Sequence, residues 1–101
     1  MVWRVVKDEA EWASANEHAR EGLRRFRGRL RSDPFAVGDR IQRDHFPRRF
    51  RAAPNLFRLA LPDGWRALYV VHTRPRDEAR VEIVFIGDHR RYDRLFGYRS
   101  S

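Results

Sequence analysis

Three side chains in the second half of the sequence have the chemistry needed to act on a phosphodiester. His89 and Tyr92 lie three residues apart, which puts an imidazole and a phenol on one side of a helical turn. A histidine with a pKa of about 6.5 exchanges protons at neutral pH, and Arg66 could stabilise extra negative charge on a phosphate. Each residue alone has an ordinary alternative: a surface histidine, a packing tyrosine or a solvent-facing arginine. Their combination indicates phosphoryl chemistry.

Other kinds of chemistry find no support in the sequence. Cysteine is absent, which excludes disulfides, Cys-ligated metals and thiol nucleophiles. No HxH, HxxxH or HExxH spacing, no glycine-rich phosphate loop and no GxSxG motif occurs. We therefore predict no metal and no cofactor. Of the other histidines, His45 lies in an Arg-rich segment, where it could assist binding.

Positive charge is concentrated in the middle of the chain. The formal net charge is +8, and residues 20–58 hold twelve arginines against four acidic residues. Such a concentration favours a polyanionic partner, and nucleic acid is the commonest one in a cell. The alternative is that these arginines only solvate helix faces. No apolar run approaches the roughly 18 residues of a membrane helix, and no leader opens the chain, so we expect a cytoplasmic protein without membrane contact.

The first third of the chain is predicted to form a strand and a helix. Residues 1–6 are short and apolar, as in a strand, and Asp8 followed by Glu11 is typical of a helix start. Apolar residues three or four apart continue from Trp12 to Leu30, which predicts one amphipathic helix.

A second, shorter helix is predicted after Asp33 and Pro34, because such a pair favours a helix start. It should include Ile41 and end before Pro47. Segment 43–54 has no clean period and is predicted to be a structured surface loop.

The second half of the chain is predicted to be a β-meander. Residues 55–61 and 65–72 alternate between apolar and polar, and the turn signal Pro-Asp-Gly at 62–64 joins them into a hairpin. Residues 80–86 are apolar enough for a central strand. The tail after Gly87 is expected to turn once or fold back.

This order, β-α-α-β-β-β, predicts an α+β domain in which two N-terminal helices pack on one face of a small, mainly antiparallel sheet. A tight turn at Gly64 would place Arg58 and Arg66 on one sheet face as diagonal neighbours. Because two guanidiniums cannot be buried without partners, we expect that face to be open. The opposite face, expected under the helices, carries the aromatic residues Phe57, Trp65, Tyr69 and Phe85.

The second half of the chain resembles the RelE/ParE superfamily of toxins from bacterial and archaeal toxin–antitoxin pairs. The resemblance runs from Asn55 to Tyr98, through the hairpin NLFRLALPDGWRALYVV, the strand VEIVFIG and the tail DHRRYDRLFGY. The tail is most similar to archaeal-type RelE-like proteins. The resemblance implies a single RelE-like domain over residues 1–101. It also implies metal-independent, ribosome-dependent cleavage of mRNA, by attack of a 2′-hydroxyl on the adjacent phosphate.

The resemblance also implies roles for individual residues. Arg66, in GWRALYVV, matches the family's phosphate-contacting arginine, while His89 and Tyr92 match tail residues that serve in proton transfer and base stacking. The arginines expected to grip the backbone of mRNA or rRNA are Arg48, Arg49, Arg51, Arg58, Arg90 and Arg91. The expected protein partner is an acidic antitoxin that folds as it binds the basic surface.

Two functions without catalysis stay open on the same fold. A ParE-like gyrase inhibitor, or a basic module that binds RNA or protein, would use the arginines without needing His89 as a catalyst.

Overall fold

The computed structural model describes residues 2–73 and 79–97. Within them the chain forms β1 (Arg4–Lys7), α1 (Glu9–Ser14), α2 (Glu17–Ser32), β2 (Asp39–Arg40), β3 (Phe57–Ala60), β4 (Arg66–His72), β5 (Arg80–Gly87) and α3 (His89–Phe96). The strands lie in the order β1-β5-β4-β3-β2, with β1 parallel to β5 and the other neighbours antiparallel. The predicted α+β class with a mainly antiparallel sheet is confirmed, but the strand order differs because β2 is an additional strand. Across the described residues, no helix has the length and apolar character that a membrane crossing requires.

The N-terminal helical region is two helices instead of the single helix predicted. α1 begins after Asp8, whose carboxylate accepts a hydrogen bond from the Glu11 N–H at 3.0 Å. Ala15 is in extended backbone, and Asn16 then caps α2 by accepting from the Ala19 N–H at 2.8 Å. The apolar stripe continues across this break, so periodicity alone could not detect it.

The prediction of a second helix after Pro34 is wrong, because only a 3₁₀ turn forms there (Pro34–Ala36). The Gly38 N–H donates to the Tyr69 hydroxyl at 2.8 Å, and that hydroxyl donates to the Pro34 carbonyl at 2.6 Å. A Cβ on Gly38 would lie 2.8 Å from the Tyr69 ring, so the close approach needs glycine. These tertiary contacts, together with pairing of β2 on β3, override a short helical pattern. Burial raises the pKa of Tyr69 to about 12.

The segment between β2 and β3 is an irregular surface loop, as predicted for 43–54. It contains two 3₁₀ turns, Arg43–His45 and Arg48–Phe50. The guanidinium of Arg49 lies over the ring of Phe50, 5.0 Å from its centroid. The aromatic residues of the loop therefore point toward the protein and carry arginines on their outer sides.

The β3–β4 hairpin has the predicted register. Ala60 lies opposite Arg66 and Arg58 opposite Leu68, so Arg58 and Arg66 are diagonal neighbours on one face. Gly64 in the turn has a φ of 76°, a conformation that favours glycine.

Each face of the sheet packs against its own apolar cluster. The first face lies under α1 and α2 and holds the larger cluster, which includes Leu30, Phe57, Leu59, Tyr69 and Val71. The second face lies under α3 and the β2–β3 loop and holds a smaller cluster formed by Leu56, Leu68, Val70, Phe85 and Tyr92. The expectation of an open second face is therefore wrong. Arg58 and Arg66 are half-buried at the margins of this cluster.

Phe85 lies on the second face, although it was predicted to lie under the helices. Leu68 pairs with Phe85 but Tyr69 pairs with Ile83, so Val84 is an extra residue in β5. This β-bulge moves Phe85 to the face opposite Tyr69. The other aromatic residues of that prediction pack with the first-face cluster: Phe57, Trp65 and Tyr69.

Candidate nucleic-acid interface

Helix α3 forms where the tail was expected to turn once or fold back, and it positions His89 and Tyr92. Asp88 caps its first turn by accepting from the Arg91 N–H at 2.9 Å, and Gly97 ends it with a φ of 77°. His89 is at the exposed start of the helix, and Tyr92, one turn later, is 7% exposed. The two residues thus share a helix side, as their spacing predicted.

Arg66 and His89 lie at the same end of the second face. Arg66 pairs with Gly87 in the β4–β5 register, and His89 follows Gly87 by two residues. A Cβ on Gly64, in the turn just before Arg66, would lie 4.0 Å from the Cβ of His89. The guanidinium of Arg66 donates to the Trp65 carbonyl at 3.1 Å.

The imidazole of His89 has one carboxylate near it on its own helix. Its Nε2 lies 3.8 Å from Oδ2 of Asp93, one turn later, and the His89 side chain is 63% exposed. An imidazole in this position can reach a ligand bound at the end of the sheet, and Asp93 is close enough to bias its orientation.

Arg58 and Tyr92 form a second group on the same face. The Tyr92 ring packs 4.5 Å from that of Phe96, measured between centroids. Arg58 donates to Asp39 at 3.1 Å. Hydrogen bonds to Asp39 and to the Tyr92 hydroxyl raise the pKa of the Arg58 guanidinium above its ordinary value.

A cleft opens beside Arg58 that the sequence did not reveal. We call it the β2 cleft; it has a volume of about 300 Å³, and Tyr92 and Phe96 contribute to its lining. Its polar lining comes from Asp39, Arg40, Gln42, His45 and Arg58. The sequence analysis missed the β2 cleft because it predicted a helix after Pro34. The Gly-Asp pair at 38–39 is a signal against continuing such a helix.

Two of the arginines predicted to contact RNA are engaged by a buried carboxylate. Glu11 is 5% exposed and pairs with Arg91 through two contacts of 3.0 and 3.1 Å, while Arg49 lies 3.8 Å away. The Ile86 N–H also donates to Glu11, at 3.0 Å. We call this group, which joins α1, β5, α3 and the loop, the Glu11 junction.

The protonation of Glu11 reflects these contacts. Burial raises the pKa of Glu11, but the hydrogen bonds from Arg91 and from the Ile86 N–H lower it by more. The net pKa lies below the ordinary value, so the carboxylate is the stable form in the folded protein. Of the other four arginines in the predicted contact set, Arg58 is half-buried, and the remaining three are exposed, namely Arg48, Arg51 and Arg90.

The predicted residues thus meet on one face but in two groups, Arg66 with His89 and Arg58 with Tyr92. The diagonal pairing of Arg58 and Arg66 connects the groups. Among the described residues, no cluster of three or more His, Asp or Glu side chains is arranged to hold a metal ion. No protein-family model matches the chain, and comparisons with curated proteins and with solved structures found no match.

Proposed function

We propose that this protein is a RelE-like toxin of a toxin–antitoxin pair, an endoribonuclease that cleaves mRNA on the ribosome. The observation that carries the proposal is the meeting of Arg58, Arg66, His89 and Tyr92 on one basic face. RNA supplies its own nucleophile, the 2′-hydroxyl. The protein therefore has to supply charge stabilisation, orientation and proton transfer, which these side chains can do.

The reaction assigned to the site is attack of the 2′-oxygen on the adjacent phosphorus. The O2′–P bond forms and the P–O5′ bond breaks, leaving a 2′,3′-cyclic phosphate and a 5′-hydroxyl. Arg66 donates to the non-bridging oxygens as negative charge develops on them. His89 takes the proton from the 2′-hydroxyl or gives one to the departing 5′-oxygen. Tyr92 and Arg58 hold the neighbouring nucleotide.

The exposed arginines of the loop and of α3 supply the sequence-independent part of RNA binding. Arg48, Arg51 and Arg90 neutralise phosphates and release counterions, so binding falls as salt rises. Ribosomal RNA is the surface that would hold the protein next to its mRNA substrate.

The acidic antitoxin would bind on the opposite side of the molecule. There, β1 is the outer strand of the sheet, and a groove of about 180 Å³ lies between it and α2. Val5 and Trp12 contribute apolar surface to this groove, and Lys7, Arg24 and Arg27 line it with positive charge. Such a groove suits an acidic segment with apolar side chains.

The test is cleavage of mRNA on purified translating ribosomes, with the cuts mapped by primer extension. We expect Arg66→Ala and His89→Gln each to lower the cleavage rate about 100-fold. Arg25→Ala is the matched control for Arg66→Ala, because Arg25 is exposed on α2, which covers the first face. A folded wild-type protein that leaves mRNA intact under these conditions overturns the nuclease proposal.

Nucleic-acid binding without catalysis is the second candidate function. It is favoured by the exposure of His89, whose nearest described carboxylate contact is the long one to Asp93 at 3.8 Å, so the imidazole is weakly held. In that case His89→Gln retains full binding, while Arg66→Ala weakens it and lowers its salt dependence. DNA breaks after induced expression, with intact mRNA, would identify a gyrase inhibitor.

A further inference from the structure

We infer that the β2 cleft binds an unpaired guanine base and that Asp39 distinguishes guanine from the other bases. The inference rests on the proposed function, because it needs RNA to reach the second face. It adds a specificity-determining residue outside the proposed catalytic group. The juxtaposition that carries it is an exposed carboxylate, a guanidinium and two aromatic rings around one cleft.

Asp39 has unused acceptor capacity in the cleft. Its side chain is 77% exposed, and Oδ2 accepts from Arg58 at 3.1 Å. An ionised carboxylate has about four acceptor sites, so sites on both oxygens stay available to a ligand. Arg58 meanwhile fixes the direction of the carboxylate.

Guanine is the base that matches a free carboxylate. Its Watson–Crick edge presents two adjacent donors, N1–H and the N2 amino group, which can bind both carboxylate oxygens. Adenine and cytosine each place an acceptor next to their amino group, and uracil flanks its single N–H with two carbonyls. A carboxylate facing those edges would meet at least one acceptor, which costs binding energy.

The rest of the cleft complements the other parts of guanine. Gln42 supplies a donor for O6 or N7, which are acceptors. Phe96 and Tyr92 contribute apolar surface, and a cleft of about 300 Å³ is at the small end of ligand sites.

A carboxylate at this place argues against a surface that only binds phosphate. The face is basic, and an acidic side chain beside Arg58 repels a phosphate group that would otherwise use that arginine. The same carboxylate favours a neutral base with two donors. The β2 cleft is therefore better suited to a base, and the exposed arginines around it to the backbone.

The experiment compares binding of two short single-stranded RNAs, UUGUU and UUAUU, by fluorescence anisotropy at fixed salt. We expect the wild-type protein to prefer the guanine RNA about tenfold. Asp39→Asn should remove most of that preference, because the amide offers an acceptor and a donor in place of two acceptors. Asp44→Asn is the matched control: it makes the same charge change on an exposed residue of the adjacent turn, and it should keep the preference.

The outcomes separate this inference from the proposed function. Equal affinity of the wild type for both RNAs, or a preference that survives Asp39→Asn, overturns the guanine assignment even if mRNA is cleaved. A guanine preference lost in Asp39→Asn supports it even if ribosome-bound mRNA stays intact, in which case only the nuclease proposal fails. No binding to either RNA overturns the guanine assignment, and the cleavage assay on ribosomes then decides the nuclease proposal by itself.

Discussion

On the first face of the sheet, two helices cover a core in which Leu30, Phe57 and Tyr69 are at most 1% exposed. On the second face, a short helix and an irregular loop cover a smaller cluster and leave Arg58 and Arg66 half-buried beside it. Apolar burial is the main stabilising term in folding, so the first face carries more of the stability. The second face can therefore hold charged groups whose substitution costs the fold less.

The two faces also differ in the interactions that hold their covering helices and loop against the sheet. On the first face, the buried side chains of α2, a helix of sixteen residues, pack against the sheet. On the second face the Glu11 junction connects α3 and the loop to α1 through a carboxylate and its arginines. The position of His89 and Tyr92 therefore depends on the ion pair between Arg91, on the same helix, and Glu11, which lies eighty residues earlier in the chain.

The largest difference between the faces should appear when an aromatic ring is removed from each. Phe57 is 1% exposed and stacks on Tyr69 with ring centroids 5.1 Å apart, so Phe57→Ala should lower the free energy of unfolding by about 3–5 kcal/mol. Phe50→Ala, the matched change at a half-buried ring of the second face, should cost about 1–2 kcal/mol. Urea denaturation measures both. Equal losses would contradict the division between the faces.

Breaking the Glu11 junction should have the next largest effect. Glu11→Gln removes a buried charge from Arg91 and should cost about 2–3 kcal/mol at pH 7. Glu9→Gln, at an exposed position in the first turn of α1, is the control and should change stability by less than about 0.5 kcal/mol. Urea denaturation of the two variants at pH 7 makes the comparison.

The pH dependence of this effect has a definite sign. Because the pKa of folded Glu11 lies below its ordinary value of 4.5, its contribution is present above pH 4.5 and is lost as the pH falls through the lowered pKa. The difference in unfolding free energy between wild type and Glu11→Gln should therefore shrink in acid. A difference that stays constant from pH 7 to pH 3 would show that the junction acts by packing alone.

The hairpin was predictable because its determinants are local. The turn signal at 62–64 and the alternation on both sides fix the register, and with it the diagonal placement of Arg58 and Arg66. The placement of His89 beyond the end of β5 follows from the same strand pattern. For this reason the Arg66 end of the candidate site was predictable in outline.

The β2 cleft and the cover of the second face depend on contacts that no local pattern contains. Gly38 is held by Tyr69, thirty-one residues later, and this turns a predicted helix into β2. Glu11 and Arg91 are eighty residues apart. The bulge at Val84, which moves Phe85 to the other face, leaves no trace in the apolar run from Ile83 to Ile86. The spacing of apolar residues in the sequence thus predicts well which residues are buried. It predicts less well on which face of the sheet they are buried.

The smallest change in stability should come from Arg58, and it gives the sharpest contrast between stability and binding. Arg58→Ala removes an ion pair whose two side chains are 42% and 77% exposed, so the unfolding free energy should fall by less than about 1 kcal/mol. If Arg58 contacts a phosphate, the slope of log affinity for RNA against log salt should decrease by about 1. Arg24→Ala is the matched control, since Arg24 also pairs with carboxylates but lies on α2. It should leave the slope unchanged, and equal slopes for both variants would show that Arg58 contacts no phosphate and serves only to orient Asp39 in the β2 cleft.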